Sequence, residues 1–520
     1  MAAAAAAPAP GRTDLGNIQL KGLPLFLGCF VLAFSNFMAV LDMTIANVSV
    51  PNIAGGLAVS PNEGTWVITS YAVAEAITVP LTGWLAQRFG TVRVYIVAIA
   101  LFGLFSFLCG LAPSIGFLIV GRILQGLAGG PMMPLSQTLL QQIVPPKFRA
   151  QAMGLWAMTT VVAPILGPVV GGQISDNMGW EWVFFINVPI AAFLTFAGLR
   201  WLTSQETKTE KKPIDVVGFL LLITWVGSLQ LMLDKGKDLD WFHSGFILAC
   251  LMVAIVGFIA FLIWELTEEH PVVDIRIFRY PGFAAACLSM ALAFGGMYAS
   301  LVLIPLWLQL NLGYTATWAG YVTGFNGVLA VIASPIVAML VTKVDPRALV
   351  SFGILWMAGI MAFRTTFTAD MAFGQLIWPQ IAQGLGMPLL FIPLMTVAMG
   401  AVKPWELASA AGLLSFVRTV SGAFATSITT TAWDDGGKKN HAVFAERLQH
   451  PDQALNVMTN GGLSPDQALT QLNNMVQHQA VMTATNHIFM VTCAVMVVSV
   501  GAIWLAPRPK GPAPAGGGGH

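Results

Sequence analysis

The strongest constraint on this chain is a series of apolar segments, each about 20 residues long, that recur from Pro24 to Leu505. A helix of that length crosses the hydrocarbon core of a bilayer, about 30 Å. Backbone groups in lipid must be hydrogen-bonded within the chain, so these segments are predicted to be transmembrane helices. We predict about fourteen, at approximately 24–45, 64–86, 92–111, 114–140, 151–173, 183–202, 214–233, 244–266, 282–305, 316–341, 347–367, 373–400, 405–431 and 484–505.

The composition excludes a soluble domain. Hydrophobic residues make up 56% of the 520 positions and charged residues only 9%, and the mean hydropathy is +0.74. Soluble globular domains carry far more charge, so an all-α, multi-pass membrane protein is predicted. The N-terminal stretch 1–22 begins with an Ala- and Pro-rich run of low complexity, residues 1–10, and the first segment lacks a clear cleavage site. We therefore predict a disordered cytoplasmic tail followed by an uncleaved first span.

The distribution of positive charge predicts the orientation. With the N-terminus in the cytoplasm, seventeen of the 25 Lys and Arg residues fall on the cytoplasmic side, five outside and three within spans. This asymmetry follows the positive-inside rule for an even number of spans, with both termini, including 508–520, in the cytoplasm. The net charge is +1 and there is no long basic tract, so nucleic-acid binding is not predicted.

The fifth segment departs from a simple membrane helix. Pro164 and Pro168 remove backbone donors from it, and small residues recur at roughly helical spacing between Gly154 and Gly172. Such a helix is tolerated where another helix packs closely on its small residues, or where it lines a cavity. Helix pairs with a purely structural role also use small residues. Two prolines together with clustered glycines, however, predict a hinge that moves during transport.

The chain contains a weak internal duplication. Residues 122–127 (RILQGL) in the fourth segment resemble 380–385 (QIAQGL) in the twelfth, and residues 83–93 resemble 339–349. An offset of eight segments predicts two six-helix bundles, 23–203 and 271–507, separated by two additional helices in 204–270. Repeats of this kind place the substrate between the halves, near the midplane of the membrane.

Three charged residues lie within the predicted spans, where an ionisable side chain is costly and is often functional. At 1.5 Å per residue, Asp42 lies about 27 Å along the first span, near its outer end, Glu75 about 16 Å into the second and Arg122 about 12 Å into the fourth. Asp42 is either an interfacial cap before Pro51 or a coupling group. Glu75 is either a structural hydrogen-bonding acid or a proton carrier or cation ligand, and Arg122 either a clamp on carbonyls or a switchable partner of a carboxylate.

Two further arginines lie within the predicted spans. Arg364 is near a span end and is predicted to reach the membrane interface. Arg418 lies deeper and is a candidate to attract anionic substrates such as fatty acids. Gln125 shares a helix face with Arg122 and joins Arg418 as a candidate for the substrate cavity.

The chain contains four motifs that are informative together. They are Leu41-Asp42-Met43-Thr44-Ile45-Ala46-Asn47-Val48 with Pro51, Gly83-Trp84-Leu85-Ala86-Gln87-Arg88-Phe89-Gly90, Arg122 with Gln125-Gly126, and the fifth-segment stretch 154–172. The combination resembles the motifs of the fourteen-spanning drug:proton antiporter family of the major facilitator superfamily, the EmrB/QacA type, and within it the EmrB and FarB multidrug and fatty-acid efflux pumps. The resemblance covers roughly residues 20–510. It departs from the family pattern at Gln87, where Asp is usual, at Thr91 and Val92, where basic residues are usual, and at Ala163, where Gly is usual. Glu75 also departs, since the EmrB and FarB pumps carry a neutral residue there.

In an antiporter of this kind, Asp42, Glu75 and Arg122 are the candidates for proton coupling. The resemblance also implies a role for each of two motifs. In the fifth segment the antiporter motif comprises Gly154, Ala163, Pro164, Gly167, Pro168, Gly171 and Gly172. In the loop after the second segment the cytoplasmic gate comprises Gly83, Arg88, Gly90 and Arg93. The two additional helices of the fourteen-span branch are also implied.

No sequence motif for catalysis is present. There is no phosphate-binding GxxxxGK[ST], no Cys/His metal pattern and no nucleophile elbow, and all five cysteines lie in apolar segments. We therefore predict no enzyme activity, no cofactor, no metal and an ion gradient as the energy source. The 24 Met, 32 Phe and 16 Trp residues permit a deformable pocket for varied amphipaths, although membrane helices are rich in such residues in any case.

The resemblance implies proton-driven efflux of hydrophobic or amphipathic drugs and toxic compounds across the bacterial inner membrane, within a three-part system. The implied partners are a periplasmic adaptor (membrane fusion) protein and an outer-membrane channel, and the polar segment 434–483 is a candidate contact, with short amphipathic helices predicted at 442–450 and 464–479. The alternative is a dedicated proton-coupled exporter of one endogenous lipid, fatty acid or siderophore. A membrane receptor or scaffold would explain the spans, but it would not explain the combination of Asp42, Glu75 and the Gly/Pro-rich hinge at 154–172.

Overall fold

The computed structural model describes residues 22–145, 148–210, 213–368, 371–448 and 450–508. Every regular element in these ranges is helical, as predicted, and short 3-10 turns join several of the helices. The predicted tails lie outside the described ranges, apart from residues 22 and 508. The helices are α1 (Leu23–Gly56), α2 (Pro61–Gly64), α3 (Trp66–Thr78), α4 (Thr82–Phe89), α5 (Thr91–Gly110), α6 (Ile115–Gly129), α7 (Met132–Ile143), α8 (Arg149–Asn177), α9 (Trp182–Phe185), α10 (Asn187–Trp201), α11 (Val216–Lys235), α12 (Gly245–Thr267), α13 (Pro281–Leu310), α14 (Ala316–Gly324), α15 (Asn326–Leu340), α16 (Pro346–Arg364), α17 (Phe373–Gly400), α18 (Leu407–Arg447), α19 (Pro451–Asn460) and α20 (Pro465–Ile503).

Twelve helical segments of the described chain are long and apolar enough to cross a membrane, and a bent pair within α8 raises the number to thirteen. The predicted total of fourteen is therefore not confirmed. The missing one is the second segment, which is divided into α3, the 3-10 turn Val79–Leu81 and α4. Pro80 lies in that turn and has no backbone N–H to continue the helix, so neither helical piece reaches the length of a span.

The fifth segment bends as its prolines suggest. Its two parts, Gln151–Pro164 and Val169–Asn177, differ in direction by 44°. Proline is the usual cause of a sharp helix kink, because it deletes a backbone donor and its ring collides with the preceding turn. The bend makes 154–172 a candidate hinge.

The two ends of the bundle can be told apart by contacts between helices. Lys235 Nζ, at the end of α11, donates a hydrogen bond to Thr65 Oγ1 (2.8 Å), just before α3 begins. Gly90 lies at the other end of the same second segment, where α4 ends. We call these the Lys235 end and the Gly90 end.

The internal duplication appears as matching close contacts between helices. A Cβ on Gly126 of α6 would lie 2.5 Å from the carbonyl oxygen of Tyr71 in α3. In the last third of the chain, a Cβ on Gly384 of α17 would overlap the carbonyl oxygen of Asn326 at the start of α15. The glycine of the repeated Gln-Gly pair thus lets the fourth and twelfth segments approach the second and tenth in the same way.

Three predictions of position are wrong. Asp42 was placed near the end of its span, but α1 continues through Pro51 to Gly56, so Asp42 lies well inside the helix. Arg364 was expected at the interface, but its side chain is fully buried. Segment 434–483 was read as a loop with short helices at 442–450 and 464–479, but α18 and α20 extend into it, with α19 between them.

The extensions make α18 and α20 longer than a membrane requires. They contain 41 and 39 residues, and a helix of about 40 residues is about 60 Å long, twice the hydrocarbon thickness. Trp433 Nε1 in α18 donates to Thr485 Oγ1 in α20 (2.8 Å), and Asn440 Nδ2 donates to the Ala480 carbonyl (3.3 Å). The two extensions therefore remain paired beyond the apolar part of the bundle, at the Lys235 end.

We expect Gly126→Ala to lower the stability of the protein by about 1–3 kcal/mol, because its methyl group would collide with the backbone of α3. Thermal unfolding of the purified protein in detergent measures the change. Gly116→Ala is the matched control on the same helix, since no atom lies within 4 Å of the position of its Cβ among the described residues. Equal loss of stability in both variants would contradict the close-packing explanation.

Candidate functional site

A closed network of polar side chains lies inside the first six segments and is centred on Asp42. Asp42 Oδ2 accepts a hydrogen bond from Arg122 Nη1 (2.7 Å), which is also an ion pair. Asp42 Oδ1 accepts from Gln125 Nε2 (3.1 Å) and from Asn187 Nδ2 (2.7 Å). All four side chains are buried. Both oxygens of the carboxylate are thus paired with donors from α6 and α10.

Arg122 also fixes the position of α3. Its Nε donates to the Val67 carbonyl (3.1 Å), its Nη1 donates to Gln125 Oε1 (2.7 Å), and its guanidinium lies 4.2 Å from the centre of the Tyr71 ring. An arginine in the membrane interior needs a carboxylate, a carbonyl or water as a partner. Arg122 has the first two, so it acts both as a clamp on a carbonyl and as the partner of a carboxylate.

Asn187 and Ser106 complete the network, and neither belongs to a motif that was predicted from the sequence. Asn187 Nδ2 also donates to Ser106 Oγ (3.1 Å), whose hydroxyl donates to the Phe184 carbonyl (2.8 Å). The available signal was a polar amide within the apolar segment 183–202. Gln125, expected in the cavity, belongs to this network instead.

Glu75 lies apart from Asp42 and faces a cavity. It is one helical turn from Tyr71, and its carboxylate has no hydrogen bond or ion pair among the described residues. Arg418 lines the same cavity. The structure therefore separates the three candidate coupling residues into a closed pair, Asp42 with Arg122, and an acid on a cavity wall.

The cavity has a volume of about 580 Å³ and lies between the first and last six segments. From Glu75 and Arg418 it extends to Lys237 and Asp238, which are exposed beyond the end of α11. It therefore opens at the Lys235 end. Its apolar wall contains methionines and aromatic rings from both halves: Met43, Met133, Phe294, Met297, Tyr298, Met387 and Phe391.

Charged groups of both signs line the cavity. Glu75 and Arg418 are on α3 and α18, and Asp234 and Lys235 lie nearer the opening, at the end of α11. Arg418 contacts the sulfur of Met133, and its Nη1 has no hydrogen-bond partner in the described protein. The arrangement suits an apolar molecule that carries a charged or polar group.

At the Gly90 end the two halves are packed together. A Cβ on Gly83 would lie 2.6 Å from the Cα of Ser409 in α18, and Gln87 Nε2 donates to Ser409 Oγ (3.4 Å). Gly412, also on α18, lies close to the Val79 carbonyl. The predicted gate loop thus contacts the C-terminal half directly.

The other gate residues shape the turn that follows α4. Gly90 has φ +97°, a conformation that favours glycine, and Glu206 caps the next helix by accepting from the backbone N–H of Val92 (3.0 Å) and Arg93 (2.9 Å). The Arg93 side chain is 3.8 Å from Glu206. The Arg88 guanidinium lies 5.6 Å from the rings of both Trp84 and Phe89.

The matching turn of the C-terminal half is also held by an arginine. Arg347 donates two side-chain hydrogen bonds to Asp345, at 3.2 and 2.8 Å, and a third to the Ala506 carbonyl (2.8 Å). The bonds from Arg347 lower the pKa of the Asp345 carboxyl below its usual range. Asp345 therefore remains charged at neutral pH, where it also caps α16.

The fifth-segment motif joins both halves of the protein. Gly167 and Gly171 pack against Thr44 and Ile45 of α1, and Gly154 faces the Ser334 carbonyl of α15. The rest of the motif is distributed between core, cavity and open space. Ala163 is buried, Pro164 lines the cavity, Gly172 has no atom within 4 Å of the position of its Cβ in the described structure, and the side chain of Pro168 lies outside the described residues.

Residues 32–426 match the model of the Major Facilitator Superfamily. This chain belongs to the major facilitator superfamily. It is 42% identical over 506 residues to the multidrug export protein EmrB of Escherichia coli (strain K12), covering 96% of this chain and 99% of that one. It is also 42% identical over 505 residues to the fatty acid resistance protein FarB of Neisseria gonorrhoeae, with the same coverage. The predicted family is confirmed.

The solved structures agree on the fold of this transporter. The proton:xylose symporter XylE superposes with a TM-score of 0.59 over 94% of this chain and 97% of its own, at 14% identity. The human organic anion transporter MFSD10 superposes with a TM-score of 0.56 over 91% of this chain and 100% of its own, at 13% identity. The major facilitator fold is therefore confirmed, and the multi-pass topology with it.

We expect Asp42→Asn and Arg122→Gln each to cost about 3–5 kcal/mol of stability, because each leaves a buried partner unpaired. The double variant should cost less than the sum of the two, since it removes both charges. Thermal unfolding of the four proteins in detergent measures this coupling. Strictly additive losses would show that the two side chains stabilise the fold independently.

Proposed function

We propose that this transporter exports hydrophobic and amphipathic drugs and toxic compounds across the bacterial inner membrane in exchange for protons. The observation that carries the proposal is the cavity, which combines an apolar, sulfur-rich wall with Glu75 and Arg418 and opens at the Lys235 end. A cavity with these properties can hold varied amphipaths and has an acid within reach of the substrate and of solvent. The names of EmrB and FarB, a multidrug export and a fatty acid resistance protein, agree with this role.

Glu75 is the proposed proton-carrying group. An exchanged proton and the substrate must compete for the same space or charge, and Glu75 is on the cavity wall whereas Asp42 is enclosed by three donors. Desolvation in a cavity of low dielectric favours uptake of a proton by a carboxylate in general. Asp42 and Arg122 are proposed to hold α1, α3, α6 and α10 in the correct arrangement around it.

Transport requires the cavity to open alternately at each end. With the N-terminus in the cytoplasm, as proposed, the structure has its cavity open to the outside and its cytoplasmic end closed by Gly83, Gln87 and Ser409. Movement of the halves about the bent 154–172 segment is proposed to reverse this. The two bundles 23–203 and 271–507, with 204–270 between them, are the proposed moving parts.

The paired extensions of α18 and α20 are proposed to contact a periplasmic adaptor protein that leads to an outer-membrane channel. The support is their length beyond the bilayer and their position at the open end of the cavity. The alternative is a dedicated exporter of one endogenous lipid, fatty acid or siderophore. A resistance profile limited to one compound would favour that alternative.

We expect Glu75→Gln to abolish the release of protons that substrate induces from the purified protein in detergent. The reason is that the side-chain amide of Gln cannot bind and release a proton near neutral pH. Wild type should release protons, and the folded fraction of Asp42→Asn should do so too. Glu63→Gln, which changes an exposed carboxylate before α3, is the control. Undiminished release from Glu75→Gln would assign the proton to another group, and no release from wild type would refute proton exchange.

We expect Arg418→Met to weaken binding of anionic amphipaths about tenfold or more, since a charge-assisted hydrogen bond is worth about 1.5–3 kcal/mol. Binding of cationic amphipaths should be unchanged or stronger, as Glu75 would no longer face a competing positive charge. Arg418→Lys, which keeps the charge, is the matched control and should retain most of the anion affinity. Equal loss for both ligand classes would mean that Arg418 only supports the shape of the cavity.

A further inference from the structure

Two buried carboxylates face each other at the Gly90 end of the two additional helices, away from the cavity. Asp215 precedes the first residue of α11, and its Oδ1 accepts from the backbone N–H of Gly218 (2.8 Å) and from Trp264 Nε1 (2.9 Å). Its other oxygen, Oδ2, is buried without a hydrogen-bond partner in the described protein. One oxygen of this carboxylate therefore has two hydrogen-bond donors, and the other has none among the described residues.

Glu265 lies in the last turns of α12, and again only one of its two carboxylate oxygens has a hydrogen-bond donor among the described residues. Its side chain is fully buried, and its Oε2 accepts from the backbone N–H of Val273 (3.2 Å) in the connector to α13. Its Oε1 has no hydrogen-bond partner among the described residues. A buried acceptor left in this way is costly unless a donor reaches it.

The two unpaired oxygens point to the same place. A Cβ on Gly218 would lie closer than 3.0 Å to both Asp215 Oδ2 and Glu265 Oε1. The absence of a side chain at Gly218 leaves room for the two carboxyl groups to approach. Two carboxylates that share a buried site cannot both ionise without strong repulsion, and one proton removes the repulsion and gives each oxygen a partner.

We propose that Asp215 and Glu265 form a proton-binding pair in which one proton bridges Asp215 Oδ2 and Glu265 Oε1. The group that carries the proton donates to the other, and both remaining oxygens keep their N–H donors. Among the described residues, no cluster of three or more His, Cys, Asp or Glu side chains that could hold a metal was found, so a proton is the ligand that the donor set fits best.

The pair connects three parts of the chain. Asp215 holds the start of α11 to α12 through Trp264, and Glu265 holds α12 to the connector through Val273. The nearby charged groups are Glu268 and Asp274, which add negative charge, and Arg276, which donates to the carbonyls of Leu266 and Glu268. Loss of the shared proton would set two negative charges against each other and loosen the attachment of the additional helices to α13.

Infrared spectroscopy of the full-length protein tests the proposal directly. The carbonyl stretch of a protonated carboxylic acid should be present in wild type at neutral pH and shift in D2O. The difference spectrum between wild type and Glu265→Gln should contain that band, and so should the one for Asp215→Asn. Glu269→Gln, an exposed acid four residues further along the chain, should give no such difference. Absence of the band from both difference spectra would overturn the proposal.

The pH dependence of thermal stability provides a second measurement. An amide at position 265 can donate to Asp215 Oδ2 permanently and so replaces the shared proton. The stability of wild type and of Glu269→Gln should fall as pH rises, because the shared proton dissociates. The stability of Glu265→Gln should not show this fall. An identical pH profile in Glu265→Gln would overturn the pair. So would stabilisation of wild type by added Na⁺ or Ca²⁺ that Glu265→Gln abolishes, because the site would then hold a cation.

Discussion

The ion pair between Asp42 and Arg122 is the interaction on which the N-terminal half of this transporter depends. Burying two charges is expensive, and the cost is offset only where each is paired and the remaining donors and acceptors are satisfied. Here that condition requires side chains or carbonyls from α1, α3, α6 and α10 to meet at one point. The four helices therefore have a single compatible arrangement, and this arrangement sets the position of Glu75 on α3.

The charged side chains inside the molecule differ in how many hydrogen-bond partners surround them. Asp42 is enclosed by donors, Glu75 and Arg418 face an open cavity, and Asp215 and Glu265 are buried together elsewhere. An enclosed, fully paired charge stabilises a structure, whereas a group that exchanges a ligand must keep part of its bonding capacity free. How completely its oxygens are hydrogen-bonded, more than the residue type, distinguishes the carboxyl group proposed to be structural from those proposed to exchange a proton.

Sequence patterns predict local features of this chain better than they predict where its helices end. The repeated Gln-Gly pairs and the prolines at 164 and 168 predicted internal symmetry and a bend, and the matching contacts of Gly126 and Gly384 and the 44° bend fit both. The polar composition of segment 434–483 resembles that of a loop, whereas α18 and α20 extend into it from either side and pair with each other. The position of Asp42 was misjudged because hydropathy ended its span at residue 45, eleven residues before the helix ends.

The sequence by itself determined that the chain is an all-α membrane protein of the major facilitator type, because apolar length and local motifs are properties of consecutive residues. It also identified Asp42, Glu75 and Arg122 as unusual, since charges in a span are costly wherever they lie. Only the tertiary structure decided that Asp42 pairs with Arg122 while Glu75 faces a cavity with Arg418, and that Asp215 meets Glu265. Those relations join residues tens to hundreds of positions apart, and they depend on how the helices rotate and pack, which no local pattern specifies.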